Sequence, residues 1–393
     1  MSKKERMSGN EAIAYAVRQI NPDVMPAFPI TPSTEIPQFV SQMIANGEID
    51  TEFIPVESEH SSMSAAMGSS AAGARTLTAT SSAGLAFMWE VLYVAASNRL
   101  PICMAVVNRA LTGPLNINAE HSDSMGARDS GWIQIYAETN QEVYDNFLQA
   151  YRIAENKDVK LPIMICQDGF ITSHAVQNIT LWDDEPIKKF VGEYEPEHYL
   201  LKEDESMAVG PYAVTNYGIE AKKQQAQAMI NAKKVILDVA KEFEEITGQK
   251  YGFFEAYRLD DADYAIVAIG SICGGVKDAV DNLRAQGKKV GLLKVRVFRP
   301  FPGKEIAEAL KNCKAIAVMD RAESFSGEGG PLGAEVPAAL YKAKVNAELV
   351  NIMYGLNGRD TKVSELEEIF DNLEKMANGE LSYAEYQYIG LRG

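Results

Sequence analysis

The sequence predicts an α/β protein with a parallel sheet, followed by a second and smaller α/β unit. Short, almost continuously apolar segments alternate with helical segments up to about residue 175, a pattern typical of parallel strands covered on both faces. The alternation stops in an acidic stretch punctuated by prolines and resumes near residue 262. A chain of 393 residues is long enough for two such domains.

The elements of the first domain follow from apolar runs and from the spacing of apolar residues. Asn10 is the N-cap candidate for a helix that carries Ile13, Val17 and Ile20 on one face. After it, the pattern predicts strands at 24–28, 53–56, 76–80, 102–108 and 161–166, and helices at 33–45, 61–72, 83–98 and 141–155. The helix at 61–72 is so rich in Ala, Ser and Gly that we expect another group to approach its backbone closely.

A connector and a long helix separate the two alternating regions. Residues 176–212 are acidic and only weakly periodic, which indicates an extended connector on the surface. The next segment has apolar residues at alternating spacings of three and four, which predicts a helix with one apolar stripe. The stripe consists of Met229, Ala232, Ile236, Val239, Phe243 and Ile246. Gly248 is expected to end this helix at its C′ position.

The second domain repeats the alternation of strands and helices. Its predicted strands are 265–269, 290–297, 315–319 and 348–353, and its predicted helices are 276–285, 304–310 and 334–342. Ser364 and the acidic residues after it form a capping box for a last helix. We therefore divide the chain into a first domain of residues 1–250 and a second of residues 251–393.

Composition and charge exclude several classes of function. The chain has 38 basic and 54 acidic residues and a net charge of -16, which disfavours nucleic acid or an anionic membrane as a partner. No apolar run of about 18 residues is present, so we expect no membrane span. The basic start leads into no apolar segment, and we expect a cytoplasmic protein without a signal peptide.

The cysteines and histidines predict no metal site in this chain. There are four cysteines and no Cys-x-x-Cys, so the chain by itself is not expected to hold an iron–sulfur cluster or zinc. The four histidines, which show no ligand spacing, are expected to be structural. They are His60, His121, His174 and His198.

Two glycine-rich turns are candidates for anion binding. The turn 270–275 follows a strand and opens a helix, where backbone N–H groups can bind an anion, although tight packing of the helix on the strand is the favoured interpretation. The loop 327–330, together with Gly333, is open between the same two interpretations. No P-loop sequence is present.

A pair of carboxylates ends one strand and opens the small-residue helix. Chemistry on an aminopyrimidine ring requires a carboxylate within hydrogen-bond reach of one ring nitrogen. Glu59, in a dry site, could share a proton with that nitrogen. Composition alone favours the other interpretation, in which Glu57 and Glu59 are solvated charges at a strand end. Of the two, Glu59 is the candidate catalytic residue.

Arg109 follows an apolar strand, at the carboxyl edge where parallel sheets bind ligands. Its guanidinium can hold a substrate carboxylate with two hydrogen bonds. Thr31 ends another strand, within a turn bracketed by prolines, and can add a hydroxyl donor. A surface or interface ion pair is an equally good explanation for Arg109 from the residues alone.

Several segments together resemble the alpha subunits of the pyruvate:ferredoxin oxidoreductase (pyruvate synthase) family. The resemblance runs in order from near residue 8 to past residue 375 and is specific as a set. The segments are Phe-Pro-Ile-Thr-Pro-Ser-Thr-Glu-Ile at 28–36, Val-Glu-Ser-Glu-His-Ser at 56–61, Thr-Ala-Thr-Ser-Ser-Ala-Gly-Leu at 78–85, Asn-Arg-Ala-Leu at 108–111, His-Ser-Asp-Ser-Met-Gly-Ala-Arg-Asp-Ser-Gly-Trp at 121–132, Asp-Gly-Phe-Ile-Thr-Ser-His at 168–174, Phe-Arg-Pro-Phe-Pro at 298–302 and Gly-Leu-Asn-Gly-Arg-Asp at 355–360.

The resemblance implies a thiamine diphosphate enzyme. Members of this family cleave pyruvate oxidatively with coenzyme A to acetyl-CoA and carbon dioxide, pass electrons to ferredoxin and can run in reverse. The chain would then supply a pyrimidine-binding-type domain followed by a transketolase C-terminal-like domain. By motif, Glu59 looks like the carboxylate on the pyrimidine, and Ile30, Ser82 and Gly84 look like further contacts of the cofactor.

The same resemblance assigns the substrate. Thr31 and Arg109 look like ligands of the pyruvate carboxylate, whereas Glu57 matches no catalytic role. Thr31 in place of a second arginine fits a short, singly charged 2-oxo acid. Branched-chain 2-oxo acids are the alternative substrates. A non-catalytic scaffold is the second alternative, which the intact set of Thr31, Glu59 and Arg109 argues against.

The chain lacks two parts that this chemistry needs. The Gly-Asp-Gly…Asn segment that binds the diphosphate through Mg²⁺ is absent, and Gln167-Asp168-Gly169 is the nearest match. A cysteine cluster for electron transfer is also absent. We therefore expect half of an active site. The resemblance implies a beta subunit that holds the Mg²⁺ and the diphosphate, together with gamma and delta subunits and [4Fe-4S] clusters on the partners.

Overall fold

The structure is a computed structural model that describes residues 2–392 and folds around two main β-sheets covered by helices. One sheet has five strands and the other has six, and two further pairs of strands flank the first sheet. The predicted α/β class with parallel sheets is confirmed. Within residues 2–392 no helix is long and apolar enough to cross a membrane.

The first part of the chain, up to the long helix, contains eight strands and nine helices within the described residues. They are β1 Lys3–Met7, α1 Gly9–Ile20, β2 Val24–Ala27, α2 Glu35–Ala45, β3 Glu52–Pro55, α3 Glu59–Ala71, β4 Leu77–Thr80, α4 Ser82–Phe87, α5 Trp89–Ser97, β5 Cys103–Asn108, α6 Ser122–Gly126, β6 Ile133–Tyr136, α7 Asn140–Ala154, β7 Ile163–Asp168, β8 Gln177–Leu181, α8 Asp184–Val191 and α9 Gly218–Thr247.

The second part of the chain adds seven strands and four helices as far as residue 392. They are β9 Phe254–Tyr257, β10 Tyr264–Ile269, α10 Ile272–Ala285, β11 Val290–Val295, β12 Val297–Arg299, α11 Gly303–Leu310, β13 Ala315–Asp320, α12 Pro331–Ala343, β14 Glu348–Met353, α13 Val363–Ala377 and β15 Gln387–Tyr388.

The five-stranded sheet has the order β12-β6-β7-β5-β4 and is parallel except for β12. Every residue of β5 and β7 is buried, as expected for strands that helices cover on both faces. The strands β2 and β3 form a separate parallel pair, which an isolated bridge from Val24 to Thr76 connects to the start of β4. The carboxyl ends of β2, β4 and β5 therefore lie near one another.

The six-stranded sheet has the order β15-β14-β13-β10-β11-β9, and only β9 runs antiparallel to its neighbour. The strand β12 leaves this part of the chain and pairs with β6 of the other sheet. The predicted strand 290–297 is therefore interrupted at the buried Arg296, where the chain crosses from one sheet to the other. The division of the chain at residue 250 stays a prediction.

The first helix is capped differently from the sequence-based prediction. Ser8, and not Asn10, is the N-cap, because its hydroxyl accepts from the N–H of Glu11 while the Glu11 carboxylate accepts from the N–H of Ser8. The Asn10 side chain is buried and donates to the carbonyl of Pro32 and to the Glu35 carboxylate. It thus ties the start of α1 to the turn after β2.

Three other predictions about elements were wrong. The predicted connector 176–212 contains β8 and α8, and β8 forms because it pairs with the distant strand β1. The predicted helix 83–98 is divided at Met88 into α4 and α5. The last helix begins at Val363, so Ser364 lies inside it and Glu365 accepts from the N–H of Lys362. The predicted end of α9 at Gly248 is confirmed by its left-handed conformation, with φ 75°.

The buried carboxylate of Asp168, at the end of β7, connects the two main sheets. One of its oxygens lies 2.5 Å from His121 Nε2. The other accepts from the N–H and hydroxyl of Ser271 and from the Arg321 guanidinium, which lies 3.1 Å away. Burial alone would raise the pKa of Asp168, but the charges and hydrogen bonds of His121 and Arg321 hold it well below its usual value.

Asp168→Ala is expected to lower the free energy of unfolding by about 3–5 kcal/mol, because it leaves Arg321 and His121 buried without their acceptor. Urea unfolding of the purified chain at pH 7 measures this loss.

Since the folded pKa of Asp168 is depressed, the contribution of Asp168 to stability is present above the ordinary aspartate pKa of about 4 and is lost as the pH falls below it. The difference between wild type and variant should therefore shrink in acid.

Asp50→Ala is the control, because Asp50 is exposed and its side chain makes no hydrogen bond with any residue from 2 to 392, while its main-chain N–H donates to Asn21. A loss no larger for Asp168→Ala than for Asp50→Ala would contradict the structural role of Asp168.

Candidate functional site

The turn after β2 is held in place by hydrogen bonds within it and from α1. The carbonyl of Ile30 accepts from both the N–H and the hydroxyl of Ser33, each at 2.8 Å. The peptide between Thr31 and Pro32 is cis, and the carbonyl of Pro32 accepts from Asn10 at 2.9 Å. Thr31 is left exposed at the carboxyl edge of β2.

The two candidate carboxylates occupy different environments. Glu59 is the first residue of α3, which begins there because the Ser58 hydroxyl caps the N–H of Ser61. The residue is nine-tenths buried, yet no residue within 2–392 donates a hydrogen bond to its carboxylate. Glu57 is exposed and accepts a hydrogen bond from the Ser61 hydroxyl, which lowers its pKa. The sequence-based expectation that both are solvated strand-end charges therefore holds for Glu57 only.

Gly84 brings the backbone of α4 against the Glu59 side chain. A Cβ atom at Gly84 would lie 2.5 Å from Thr80 Oγ1 and 2.8 Å from Glu59 Oε1. The hydroxyls of Thr80 and Ser81 are buried and have no hydrogen-bond partner within the described chain. Glu59 therefore packs against a bare glycine backbone, and the segment that leads to Gly84 carries two hydroxyls whose hydrogen-bonding capacity is unused.

Ser82 stands at the start of α4 in a left-handed conformation, with φ 47°. Its hydroxyl donates to the carbonyl of Ala110 at 2.5 Å, and its N–H donates to the Asp123 carboxylate at 2.9 Å. Because a left-handed conformation is unfavourable for a serine, these contacts are what keep it in place. They also fix the α4 turn to the segment after β5.

Arg109 lies just past the end of β5 and is mostly buried. Its Nε donates to the carbonyl of Asn116 at 3.0 Å, and one terminal nitrogen donates to the carbonyl of Thr31 at 2.9 Å. The second terminal nitrogen has no hydrogen-bond partner within residues 2–392. The structure thus brings Arg109 to Thr31, through the Thr31 main chain and not through its hydroxyl.

Five of the six candidate residues form two contacting groups with one residue between them. Glu59 and Gly84 form the first group, and Thr31 and Arg109 form the second. Ser82 lies between them, since it is two residues before Gly84 and is bonded to the residue after Arg109. Ile30 is half-buried in the turn next to Thr31.

Asp123 is a residue of this region that the sequence did not single out. It is buried, and its two oxygens accept from the N–H groups of Ser82, Arg109 and Ser124 and from the Asn108 amide. Burial raises the pKa of Asp123, and the hydrogen bonds oppose this effect in part. The one sequence signal that could have pointed to Asp123 is its position in the segment 121–132, which resembles the family pattern.

Apolar side chains are exposed on the two segments that carry the site. Phe87 and Trp89 are exposed at the junction of α4 and α5, and the Phe87 ring lies 6.0 Å from that of His60 at the start of α3. Leu115 and Ile117 are exposed on the loop after Arg109. Exposed apolar groups that adjoin a site are typical of a surface that another chain covers.

Carboxylates of the chain itself occupy the two glycine-rich turns. The N–H of Ser271, in the turn 270–275, donates to Asp168 at 3.0 Å. The N–H groups of Leu332 and Gly333, at the start of α12, donate to the buried Asp320. These contacts support the packing interpretation of both turns over the anion-binding one.

The acidic cluster of Glu138, Glu142 and Glu255 has the spacing of a cation site. The ammonium group of Lys294 lies 2.7 Å from Glu138 and 2.7 Å from Glu255, and Lys277 also contacts Glu138. Lysine charges therefore already neutralise this cluster.

Sequence profiles of one family match most of the chain. The profile described as pyruvate flavodoxin/ferredoxin oxidoreductase, thiamine diphosphate-binding, matches residues 15–241. The profile of pyruvate:ferredoxin oxidoreductase core domain II matches residues 262–366.

Curated relatives are similar over almost their full length. The chain is 50% identical to the pyruvate synthase subunit PorA of Thermotoga maritima, over 98% of this chain and 97% of that protein. It is 48% identical to PorA of Methanocaldococcus jannaschii, over 95% and 96% of the two chains. The ketoisovalerate oxidoreductase subunit VorA of Pyrococcus abyssi is 44% identical, over 95% and 94%.

Two solved structures share the fold. A 2-oxoglutarate:ferredoxin oxidoreductase from Magnetococcus marinus matches 94% of this chain with a TM-score of 0.72 and 21% identity, and the match spans 65% of that longer chain. A split-gene transketolase matches 95% of this chain and 98% of its own, with a TM-score of 0.54 and 12% identity. At these identities the likeness shows the fold alone.

Gly84→Ala is expected to lower the free energy of unfolding by about 1–3 kcal/mol, because the added methyl group would overlap Thr80 and Glu59. Gly68→Ala is the matched control in α3, since no atom lies within 4 Å of its ideal Cβ position. In that helix interior alanine should stabilise the chain by about 0.5–1 kcal/mol. Thermal unfolding of both variants should give shifts of opposite sign, and equal shifts would show that Gly84 is not tightly packed.

Proposed function

The chain belongs to the pyruvate flavodoxin/ferredoxin oxidoreductase family, and from this premise we propose that it is the alpha subunit of a pyruvate synthase. In this proposal it forms, with a beta subunit, a thiamine diphosphate site for the reversible oxidative decarboxylation of pyruvate with coenzyme A. The observation that carries the proposal is Glu59, a residue that is nine-tenths buried and whose carboxylate lacks any hydrogen-bond donor within the described chain. A buried carboxylate without a partner is unfavourable unless a ligand supplies one.

The surroundings of Glu59 fit the aminopyrimidine ring of thiamine diphosphate. Gly84 lets the backbone of α4 pack directly against the Glu59 side chain, and the free hydroxyls of Thr80 and Ser81 lie on the same segment. When bound, thiamine diphosphate supplies a carbon nucleophile for the carbonyl group of the 2-oxo acid. Glu59 would share a proton with a ring nitrogen and so control the protonation of the amino group. Ile30 and Ser82 would complete the contacts of the chain with the cofactor.

Arg109 and Thr31 would hold the substrate carboxylate. The two hydrogen bonds of Arg109 to main-chain carbonyls hold its guanidinium in one orientation. The position of the remaining terminal nitrogen is therefore fixed before a ligand binds. The Thr31 hydroxyl adds a second donor at the adjoining turn. A single guanidinium and one hydroxyl fit a monoanionic acid such as pyruvate.

A second subunit is needed to complete this site. Asp168, in the segment nearest to a Mg²⁺–diphosphate motif, already accepts from His121, Ser271 and Arg321 and has no oxygen left for a metal. We propose that a beta subunit contributes the Mg²⁺ and the diphosphate contacts and covers the exposed Phe87 and its neighbours. Gamma and delta subunits with [4Fe-4S] clusters would pass the electrons to ferredoxin.

A branched-chain 2-oxo acid is the second candidate substrate. VorA of Pyrococcus abyssi, a ketoisovalerate oxidoreductase subunit, is 44% identical to the chain over 95% of its length. The main proposal is favoured by the identity of 50% to PorA of Thermotoga maritima. Comparing kcat/KM for pyruvate and 2-oxoisovalerate on the assembled complex separates the two, and a higher value for the branched acid would reverse the assignment.

Glu59→Gln is expected to lower the turnover of the assembled complex by about 10²–10⁴-fold, because glutamine cannot share the proton. The assay is pyruvate- and coenzyme A-dependent reduction of a viologen dye. Glu57→Gln is the matched control, since it changes an exposed carboxylate two residues away and should keep nearly full activity. Comparable turnover in the two variants would remove Glu59 from the mechanism.

Arg109→Lys is expected to raise the KM for pyruvate by about 10–100-fold while the KM for coenzyme A changes little, because a lysine cannot keep both main-chain contacts and bind the carboxylate. Steady-state kinetics with each substrate varied in turn measures the split. An equal rise in both KM values would indicate a general disturbance of the site in place of a role in binding pyruvate.

A further inference from the structure

One oxygen of the Asp123 carboxylate connects the two groups of candidate site residues. Oδ2 accepts from the N–H of Ser82 at 2.9 Å and from the N–H of Arg109 at 3.0 Å. These two N–H groups belong to different strand ends, those of β4 and β5. The carboxylate therefore fixes the distance between the turn that leads to Gly84 and the start of the Arg109 loop.

The other oxygen holds the carboxylate in that orientation. Oδ1 accepts from the Asn108 amide at 2.8 Å and from the N–H of Ser124 at 2.7 Å. The same Asn108 amide donates to the Ser124 hydroxyl at 2.7 Å, which also accepts from the buried Tyr136 hydroxyl. With four donors on two oxygens, the carboxylate is saturated and has a single favourable position.

The two residues that donate these N–H groups stand where the backbone needs an additional restraint. Ser82 has a φ of 47°, a conformation that a serine keeps only where its surroundings impose it. Arg109 begins a loop whose residues 112–115 are all exposed, so its backbone has little packing on that side. Asp123 is the one acceptor that both residues share within the described chain.

We infer that Asp123 is a positioning residue for the proposed reaction. It holds the proposed cofactor-contacting turn at Ser82 and the proposed substrate-binding Arg109 at a fixed distance from each other. The inference rests on the proposed function only for the identity of the two ligands. In this role Asp123 acts through two backbone N–H groups and not by contact with a ligand. Loss of the Asp123 carboxylate as an acceptor should therefore loosen the Ser82 and Arg109 segments together.

Asp123→Asn is the sharpest test because it keeps the shape of the side chain. One oxygen becomes an NH₂ group, so two of the four N–H donors would face another donor. Hydrogen–deuterium exchange of the assembled complex, read by mass spectrometry, should show exchange about 10-fold faster or more in peptides covering residues 80–86 and 108–111. The KM for pyruvate should rise about 10-fold while the KM for coenzyme A stays nearly unchanged.

Asp145→Asn is the matched control. Asp145 lies on α7, is fully buried and accepts from Trp182, Gln141 and Tyr251, none of which belongs to the site. This variant should leave exchange in both peptides and the KM for pyruvate as in the wild type. The same changes in Asp145→Asn would show that loss of any buried carboxylate has this effect, and would overturn the inference.

The outcomes separate the inference from the proposed function. Faster exchange in only one of the two peptides, or in neither, would overturn the role of Asp123, whatever the substrate is. If the wild-type complex does not turn over pyruvate, the proposed function is refuted. Faster exchange in both peptides of the Asp123→Asn complex would then still support the positioning role.

A milder variant covers the case in which Asp123→Asn does not yield a folded complex. Asn108→Ala leaves the carboxylate in place and removes one of its four donors. It should speed exchange in the same two peptides by a smaller factor. Unchanged exchange in both peptides would then contradict the inference.

Discussion

The buried carboxylate of Asp168 is the polar contact on which the junction of the two sheets depends, beside the pairing of β12 with β6. It ends β7 of the first sheet and accepts from Ser271 and Arg321, which follow β10 and β13 of the second. A buried charge is unfavourable unless it is paired and fully hydrogen-bonded, and here His121 completes the set. The two sheets must therefore meet in one arrangement, since any other would leave these charges unpaired.

The same arrangement determines where the Arg109 loop lies. The N–H of His121 donates to the carbonyl of Arg321, and the Glu120 carboxylate accepts from the N–H of Asn357. Both ends of the loop are thus held, by Asp123 at its start and by the second part of the chain at its end. The second part of the chain therefore helps to place Arg109, the proposed substrate-binding residue.

The candidate site combines fixed surroundings with groups that are left unpaired. Asp123 and Asp168 each have both oxygens occupied, whereas the Glu59 carboxylate and the Thr80 and Ser81 hydroxyls have no partner within the described residues. Unused hydrogen-bonding groups in a buried position lower stability, so they are expected where a ligand binds. The exposed Phe87 next to this site extends the argument to a protein partner.

The sequence by itself determined the fold class, most of the strands and helices, and the segments that carry the site. Strands such as β5 and β7 were predictable because burial on both faces demands continuous apolar residues. Pairings between distant segments were not predictable: β8 depends on β1, and β12 leaves its own part of the chain for the first sheet. Only the tertiary structure separated the buried Glu59 from the exposed Glu57 and showed what Asp123 and Asp168 bind. The partners of these aspartates lie on other strands and loops, and the spacing of residues along one segment carries no information about which distant N–H group will face a carboxylate.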